Sequence, residues 1–190
     1  MKKRHTLDAY YTASKLTDAL IYHVLLDEAD YTDLIYEPCV GKHSITNALH
    51  AKGFMNLRTN DIDTSLHNVD THNDASIYDE TLYKQFDWVI TNPPYTQPQC
   101  QQILENSMKY ARKGICMLLR LTYDEPCANR REFLRKNHMS HQLIFNPRPR
   151  FRTDTTGSDS ATSCWFVWID KYQLHPNVVG TQKIYVTDWT

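Results

Sequence analysis

The sequence predicts an α/β protein, a doubly wound, mainly parallel sheet of seven strands with helices on both faces and an antiparallel C-terminal edge. Three observations carry this reading. Short apolar runs alternate with stretches of helical period between residues 15 and 145. Turn-forming residues punctuate the changes of period. Beyond residue 146 the rhythm stops, and two apolar runs follow one another with no helical segment between them, which adds the antiparallel edge.

Taken in order, Ser14 caps a helix over 15–29, where Leu16, Ala19, Leu20, His23, Val24 and Asp27 recur near helical spacing. A strand over 34–36 ends at Glu37-Pro38. The helix over 44–52 carries Ile45, Ala48 and Leu49 on one side and stops at Gly53. A second strand, 55–59, leads into a polar stretch over 60–76 and a short helix over 78–84. The run Phe86-Asp87-Trp88-Val89-Ile90-Thr91 is the third strand, with Trp88 in the core. A helix over 98–112 precedes Gly114 and the strand 115–119, and a helix over 128–137 precedes the strand 141–145. From Pro147 to Ser163 the chain reads as a long loop. Strands over 164–169 and 183–187 complete the seven, and Trp165 and Trp168, three apart, place at least one ring in the core.

At 190 residues the expectation is one domain with no separate target-recognition domain. Lys and Arg total 21 against 22 Asp and Glu, so any polyanion must be met by a local patch and not by a global field. Five cysteines without a C-x-x-C pair suit a reduced chain better than a disulfide scaffold. No apolar stretch has the length of a signal peptide or a membrane span. His67 with His72, and His138 with His141, lack the cysteines or acids that would complete a zinc site, so no metal is expected.

The most informative residues follow the third strand. In Asn92-Pro93-Pro94-Tyr95 neither proline has an N–H and both fix φ, so the chain leaves the strand as a stiff extended corner with fixed carbonyl directions. The Asn92 amide oxygen and the Pro93 carbonyl can accept both hydrogens of one NH₂ group, while Tyr95 offers a ring for stacking. Such acceptors draw the amino hydrogens out of conjugation and leave lone-pair density on nitrogen for attack on an electrophile. A turn alone asks for none of this order.

Three other stretches sit where the ligand crevice of a doubly wound sheet lies, outside the carboxyl ends of the strands. Glu37-Pro38-Cys39-Val40-Gly41-Lys42-His43 joins a strand to a helix through a tight turn, whose N–H groups attract an anion and whose Gly41 admits a ligand close to the main chain. Asn60-Asp61-Ile62-Asp63 offers a carboxylate to the two hydroxyls of a ribose. Asp74-Ala75 offers an acceptor to an adenine amino group. Each alone is ordinary turn chemistry; their order gives them weight.

This series, from Tyr11-Thr12 through Glu37-Pro38-Cys39-Val40-Gly41, Asn60-Asp61-Ile62-Asp63 and Asp74-Ala75 to Asn92-Pro93-Pro94-Tyr95, resembles the S-adenosylmethionine-dependent adenine-N6 DNA methyltransferases over about residues 10 to 170. The resemblance implies a Rossmann-like methyltransferase fold with S-adenosyl-L-methionine as cofactor. It implies that Tyr11 and Thr12 contact the methionine end and that Glu37, Cys39, Gly41 and Ala75 shape the cofactor pocket. Asp61 would hold the ribose and Asp74 the cofactor adenine, with Ile62 packed on its ring. Asn92, Pro93, Pro94 and Tyr95 would act on the exocyclic N6 amino group of an adenine in DNA taken out of its stack. One position departs from the family pattern: a second glycine usually stands where this chain has His43, a side chain that would narrow the turn.

For nucleic acid, Arg148, Arg150 and Arg152 interleaved with Phe151 pair phosphate-binding groups with a stacking ring beside the crevice. Arg130, Arg131, Arg135 and Lys136 read first as a solvated helix face. The alternatives left open are adenine-N6 methylation of RNA, methylation of a protein glutamine amide, and a cofactor-impaired subunit that does not catalyse. The lack of an apolar span leaves no membrane association expected, while target recognition is expected to be short, degenerate or supplied by a partner subunit, and the resemblance implies a cytoplasmic location in a bacterial or phage-infected host cell.

Overall fold

Burial on two faces decides where the sheet sits. In the computed structural model, which describes residues 12–125, 127–149, 162–173 and 180–189, the side chains of β3 (Phe86–Thr91), β4 (Ala111–Arg120) and β6 (Ser163–Ile169) alternate between two apolar layers. Trp88, Ile90, Cys116, Leu118, Trp165 and Val167 enter one layer. Val89, Ile115, Met117, Leu119, Phe166 and Trp168 enter the other. Both Trp165 and Trp168 are therefore core, on opposite faces, as a spacing of three in a two-residue repeat requires.

Helices close each layer. On the first face α1 (Ser14–Leu20) runs through a π-helical stretch, Ile21–Leu25, into α2 (Leu26–Glu28), and contributes Leu16, Leu20, Ile21, Val24 and Leu25. Beside it α3 (Ser44–Ala51) contributes Ile45 and Leu49. The Trp165 indole N–H donates to the Leu16 carbonyl at 2.7 Å, which ties the first helix to the sheet through a buried bond. On the second face α4 (Gln99–Tyr110) contributes Cys100, Ile103, Leu104 and Tyr110, and α5 (Ala128–Lys136) adds the partly buried Phe133 and Leu134.

The sheet holds seven strands in the order β2 (Leu57–Thr59), β1 (Ile35–Glu37), β3, β4, β6, β5 (His141–Phe145) and β7 (Gln182–Val186). All pairings are parallel except those of β6 with β4 and with β5. The antiparallel strand thus lies between β4 and β5, and β7, reached through the short α6 (Asp170–Gln173), lies at the margin parallel to β5. The C-terminal ends of β1 to β5 all point to one end of the sheet, where β6 begins.

One cap and two segments differ from expectation: Ser14 is the first helical residue, and Ala13, which has no side-chain acceptor, stands at the N-cap. The helix expected over 78–84 is a single 3₁₀ turn, Glu80–Leu82: Asp79 caps it by accepting from the Thr81 amide, and Lys84, at φ +52°, turns the chain so that its amide reaches the Lys109 carbonyl. The strand expected over 115–119 begins at Ala111, directly where α4 ends. Gly114 therefore lies inside the strand. An added Cβ there would lie 2.3 Å from Trp88 Cζ3, so Gly114 makes room for the indole. That indole cannot swing aside, because its N–H donates to Asp33 Oδ2 at 2.9 Å while Lys113 Nζ holds Asp33 Oδ1 at 2.6 Å. Gly114→Ala is expected to lower stability by about 3 kcal/mol through overpacking, read as the shift of the urea midpoint. An unchanged midpoint would show that the indole has room to move.

Candidate active site

Four segments meet at the carboxyl ends of β1, β2 and β3. The turn after β1 is built around two left-handed residues, Gly41 at φ +52° and His43 at φ +59°, which reverse the chain into α3. Gly41 has no heavy atom within 4 Å of the place its Cβ would take, so the turn presents bare main chain to the cleft above it. His43 occupies the left-handed conformation despite its side chain. The ring lies within hydrogen-bonding distance of the His67 carbonyl, with Nε2 at 2.9 Å, and His43 is not among the residues lining the cleft.

That cleft, about 250 Å³, is lined by Thr12, Glu37, Cys39, Val40, Gly41, Lys42, Ser44, Ile45 and Asn92. It brings together the strand-end acid, the glycine turn and the asparagine of the Pro-Pro corner. Asn92 Nδ2 donates to Thr12 Oγ1 at 3.1 Å, so the acceptor character of this amide rests on Oδ1. Glu37 is 2% exposed, and its Oε2 has no hydrogen-bond partner among the described residues. Burial pushes its carboxyl well above the usual carboxylate range; a bond from the Thr46 amide opposes the shift, and the charge of Asp61 adds to it. Burial likewise pushes up the Cys39 thiol, with Asp61 adding to the shift.

The loop after β2 is fixed to this turn by one wholly buried side chain. Asn60 donates from Nδ2 to the Pro38 and Asn73 carbonyls at 3.0 and 2.9 Å, and its Oδ1 accepts from the Thr71 hydroxyl and the Asn73 amide, both at 2.9 Å. Its main chain adds a bond to the Glu37 carbonyl and one from the Val40 amide. The next residue, Asp61, then reaches the Gly41 amide with Oδ2 at 2.8 Å, while its Oδ1 accepts from the Asp63 amide. A second hollow, about 330 Å³, opens on the far side of Asn60, lined by Tyr36, Asp74, Ala75, Ile77, Ile103 and Tyr110 among others. Asp74 accepts from the Ser76 amide and hydroxyl, a turn that fixes its carboxylate at the rim.

At the corner itself Pro93 is buried and Pro94 and Tyr95 half-buried. Tyr95 packs against the second apolar layer, and the Arg120 guanidinium lies 5.5 Å from its ring centre. Burial raises the Tyr95 phenol, while a bond with Ser163 and the charge of Arg120 oppose the shift.

No protein-family model matches the chain, and none of the curated proteins compared with it matches in sequence. Solved structures do match. A protein from Listeria monocytogenes assigned as a class I S-adenosylmethionine-dependent methyltransferase superposes over 96% of this chain and 68% of its own length, with a TM-score of 0.67 and 15% identity. A protein from Pyrococcus horikoshii assigned as an RNA methyltransferase superposes over 88% of this chain and 90% of its own, with a TM-score of 0.63 and 13% identity. The methyltransferase subunit of a type I restriction-modification system from Streptococcus thermophilus gives a TM-score of 0.61 at 14% identity, and there the chain covers 86% of itself but 45% of its neighbour. The fold is that of the class I methyltransferases. At these identities the likeness is one of architecture.

Of the residues singled out from sequence, the structure gathers Thr12, Glu37, Cys39, Gly41 and Asn92 around one cleft and Asp74 and Ala75 around the other, while Asp61 lines neither and is bonded to the Gly41 amide. Ile62 is 53% exposed and lines neither. Arg148 is exposed just beyond the end of β5. Tyr11, Arg150, Phe151 and Arg152 lie outside the described residues. Sequence reasoning missed Asn60 as the hub, Tyr110 and Ile77 in the second hollow, and Arg120 beside Tyr95. A signal for Asn60 existed, since a polar residue directly after a buried strand must satisfy its amide locally. Among the described residues no group of three or more histidines, cysteines or acids could hold a metal, and no helix is long and apolar enough to cross a membrane.

Two expectations follow from these contacts. Asn60→Ala strands the Pro38 and Asn73 carbonyls and the Asn73 amide, and should cost about 3 kcal/mol in a urea titration; a loss under about 0.5 kcal/mol would show that water replaces the hub. For Glu37 the sign runs against the usual carboxylate. The fold holds this proton more tightly than the unfolded chain does, so its contribution is lost as pH rises from the ordinary carboxylate range toward the raised value. Wild-type stability should therefore fall more steeply than that of Glu37→Gln as pH rises above the ordinary carboxylate range. Parallel profiles would assign the slope to other groups.

Proposed function

We propose that the protein is an S-adenosylmethionine-dependent methyltransferase acting on the exocyclic N6 amino group of adenine in DNA. The observation that carries this is the sharing of one cleft by Glu37, the Gly41 turn and Asn92. A buried carboxyl oxygen without a partner suits an ammonium group, and the bare main chain at Gly41 suits a ligand backbone lying flat across it. Thr12, Glu37 and Gly41 would hold the amino-acid end of the cofactor, and the second hollow with Asp74 and Ala75 would hold its base. When bound, S-adenosylmethionine supplies an electrophilic methyl group.

The chain's own residues do the rest by positioning. Asn92 Oδ1 and the Pro93 carbonyl accept the two amino hydrogens of the adenine, and Thr12 orients the Asn92 amide by accepting from its nitrogen. Holding both hydrogens keeps the lone pair on nitrogen and aims it into the cleft, so no side chain needs a tuned pKa for this step. Tyr95 supplies an apolar wall for the base, and Arg148, Arg150, Phe151 and Arg152 belong to the DNA-contacting rim. The left-handed His43, its ring held against the His67 carbonyl, supports a cofactor-competent turn in place of an impaired one. Several neighbours of this fold are named as parts of type I restriction-modification systems, which supports a partner subunit as the source of target recognition.

Transfer of a labelled methyl group to duplex DNA, single-stranded DNA, RNA and protein in parallel tests the reading, with label expected on adenine N6 of DNA. Label on RNA adenine or on glutamine would replace the substrate, and no transfer to any acceptor would remove the function. Asn92→Ala should cut turnover by about 100-fold or more while the calorimetric signal for S-adenosylmethionine persists. Normal turnover by that variant would sink the role given to the Pro-Pro corner.

A further inference from the structure

Arg120 is the last residue of β4, one strand over from the Asn92 corner and opposite Ser163 in the register of β4 with β6. It is solvent-exposed, and among the described residues no carboxylate pairs with it. Its contact is with Tyr95, whose ring lies 5.5 Å from the guanidinium carbon. Tyr95 is in turn held by packing on the second apolar layer. An exposed arginine ordinarily samples many rotamers; this one has a fixed aromatic platform. A guanidinium against a ring keeps its N–H edge free to make two parallel bonds to phosphate oxygens.

We propose that Arg120 clamps a backbone phosphate of the DNA strand beside the target base, with Tyr95 as its platform. The choice of DNA rests on the function proposed above, whereas the phosphate chemistry rests on the arginine and its surroundings. Arg148, exposed beyond the end of β5 at the same end of the sheet, places a second cation along the path a strand would follow away from the cleft. The clamp also separates a polynucleotide from a small amine or a glutamine side chain, neither of which offers an anion there.

Fluorescence anisotropy of labelled single-stranded and duplex DNA oligonucleotides with the full chain, over a series of salt concentrations, tests the clamp. Arg120→Ala is expected to weaken binding about tenfold and to reduce the slope of log affinity against log salt by about one. Arg120→Lys is expected to restore the slope, since it keeps the charge, and only part of the affinity, since it loses the planar fork. Identical affinity and slope for wild type and Arg120→Ala would overturn the proposal, as would absence of salt-dependent binding by the wild type. Because binding is read without methyl transfer, an altered slope in a protein that transfers no methyl group would keep the clamp and discard the chemistry.

Discussion

The geometry of the site depends on the burial of one amide. Asn60 places both of its polar ends on groups of two stretches, the turn after β1 at Pro38 and the segment that holds Thr71 and Asn73. Residues 60–76 contribute few apolar side chains to either layer, and further hydrogen bonds join Asn60 in holding them: Asp70 accepts from the Thr59 amide and hydroxyl, Asp61 accepts from the Gly41 amide, and Asn106 donates to the Ala75 and Ser76 carbonyls. A loop with no core of its own borrows order from hydrogen bonds.

A second constraint operates in the sheet. Trp88 is fixed above by Asp33 and accommodated below by Gly114, so the strand that delivers Asn92 cannot shift relative to β4, which delivers Arg120. The rigidity of the Pro-Pro corner is thus continuous with that of the core. Close packing at Trp88, four residues before Asn92, and at Gly114, six before Arg120, adds to the contacts of Asn92 with Thr12 and of Arg120 with Tyr95.

Much of this architecture was legible in the sequence, because strands buried on both faces carry unbroken apolar runs. The strands at 86–91 and 141–145 have the expected bounds for that reason. Legibility failed where a residue's meaning is tertiary. The need for glycine at 114 shows only once Trp88 is placed above it, and the helix expected over 78–84 is cut to one turn by the Lys84 bend. Around the first cleft, the residues that the sequence singles out carry a local signature at a strand end: Glu37, Gly41 and Asn92. Asn60, Tyr110 and Arg120 carry none, because their contacts run to partners 11 or more positions away, as with Asn60 and Thr71 or Tyr110 and the Asp79 amide. His43 belongs between the two groups. Its place was legible, but its effect was not, since the left-handed backbone turns its ring toward His67 and away from the cleft.

The position of β6 has a topological consequence. Since β5 and β4 run toward the end of the sheet that bears Asn92 and β6 starts from that end, the connection from β5 to β6 begins and ends there. Its two anchors, Phe145 and Ser163, are buried and strand-paired, so both ends of the connection are held by the sheet itself.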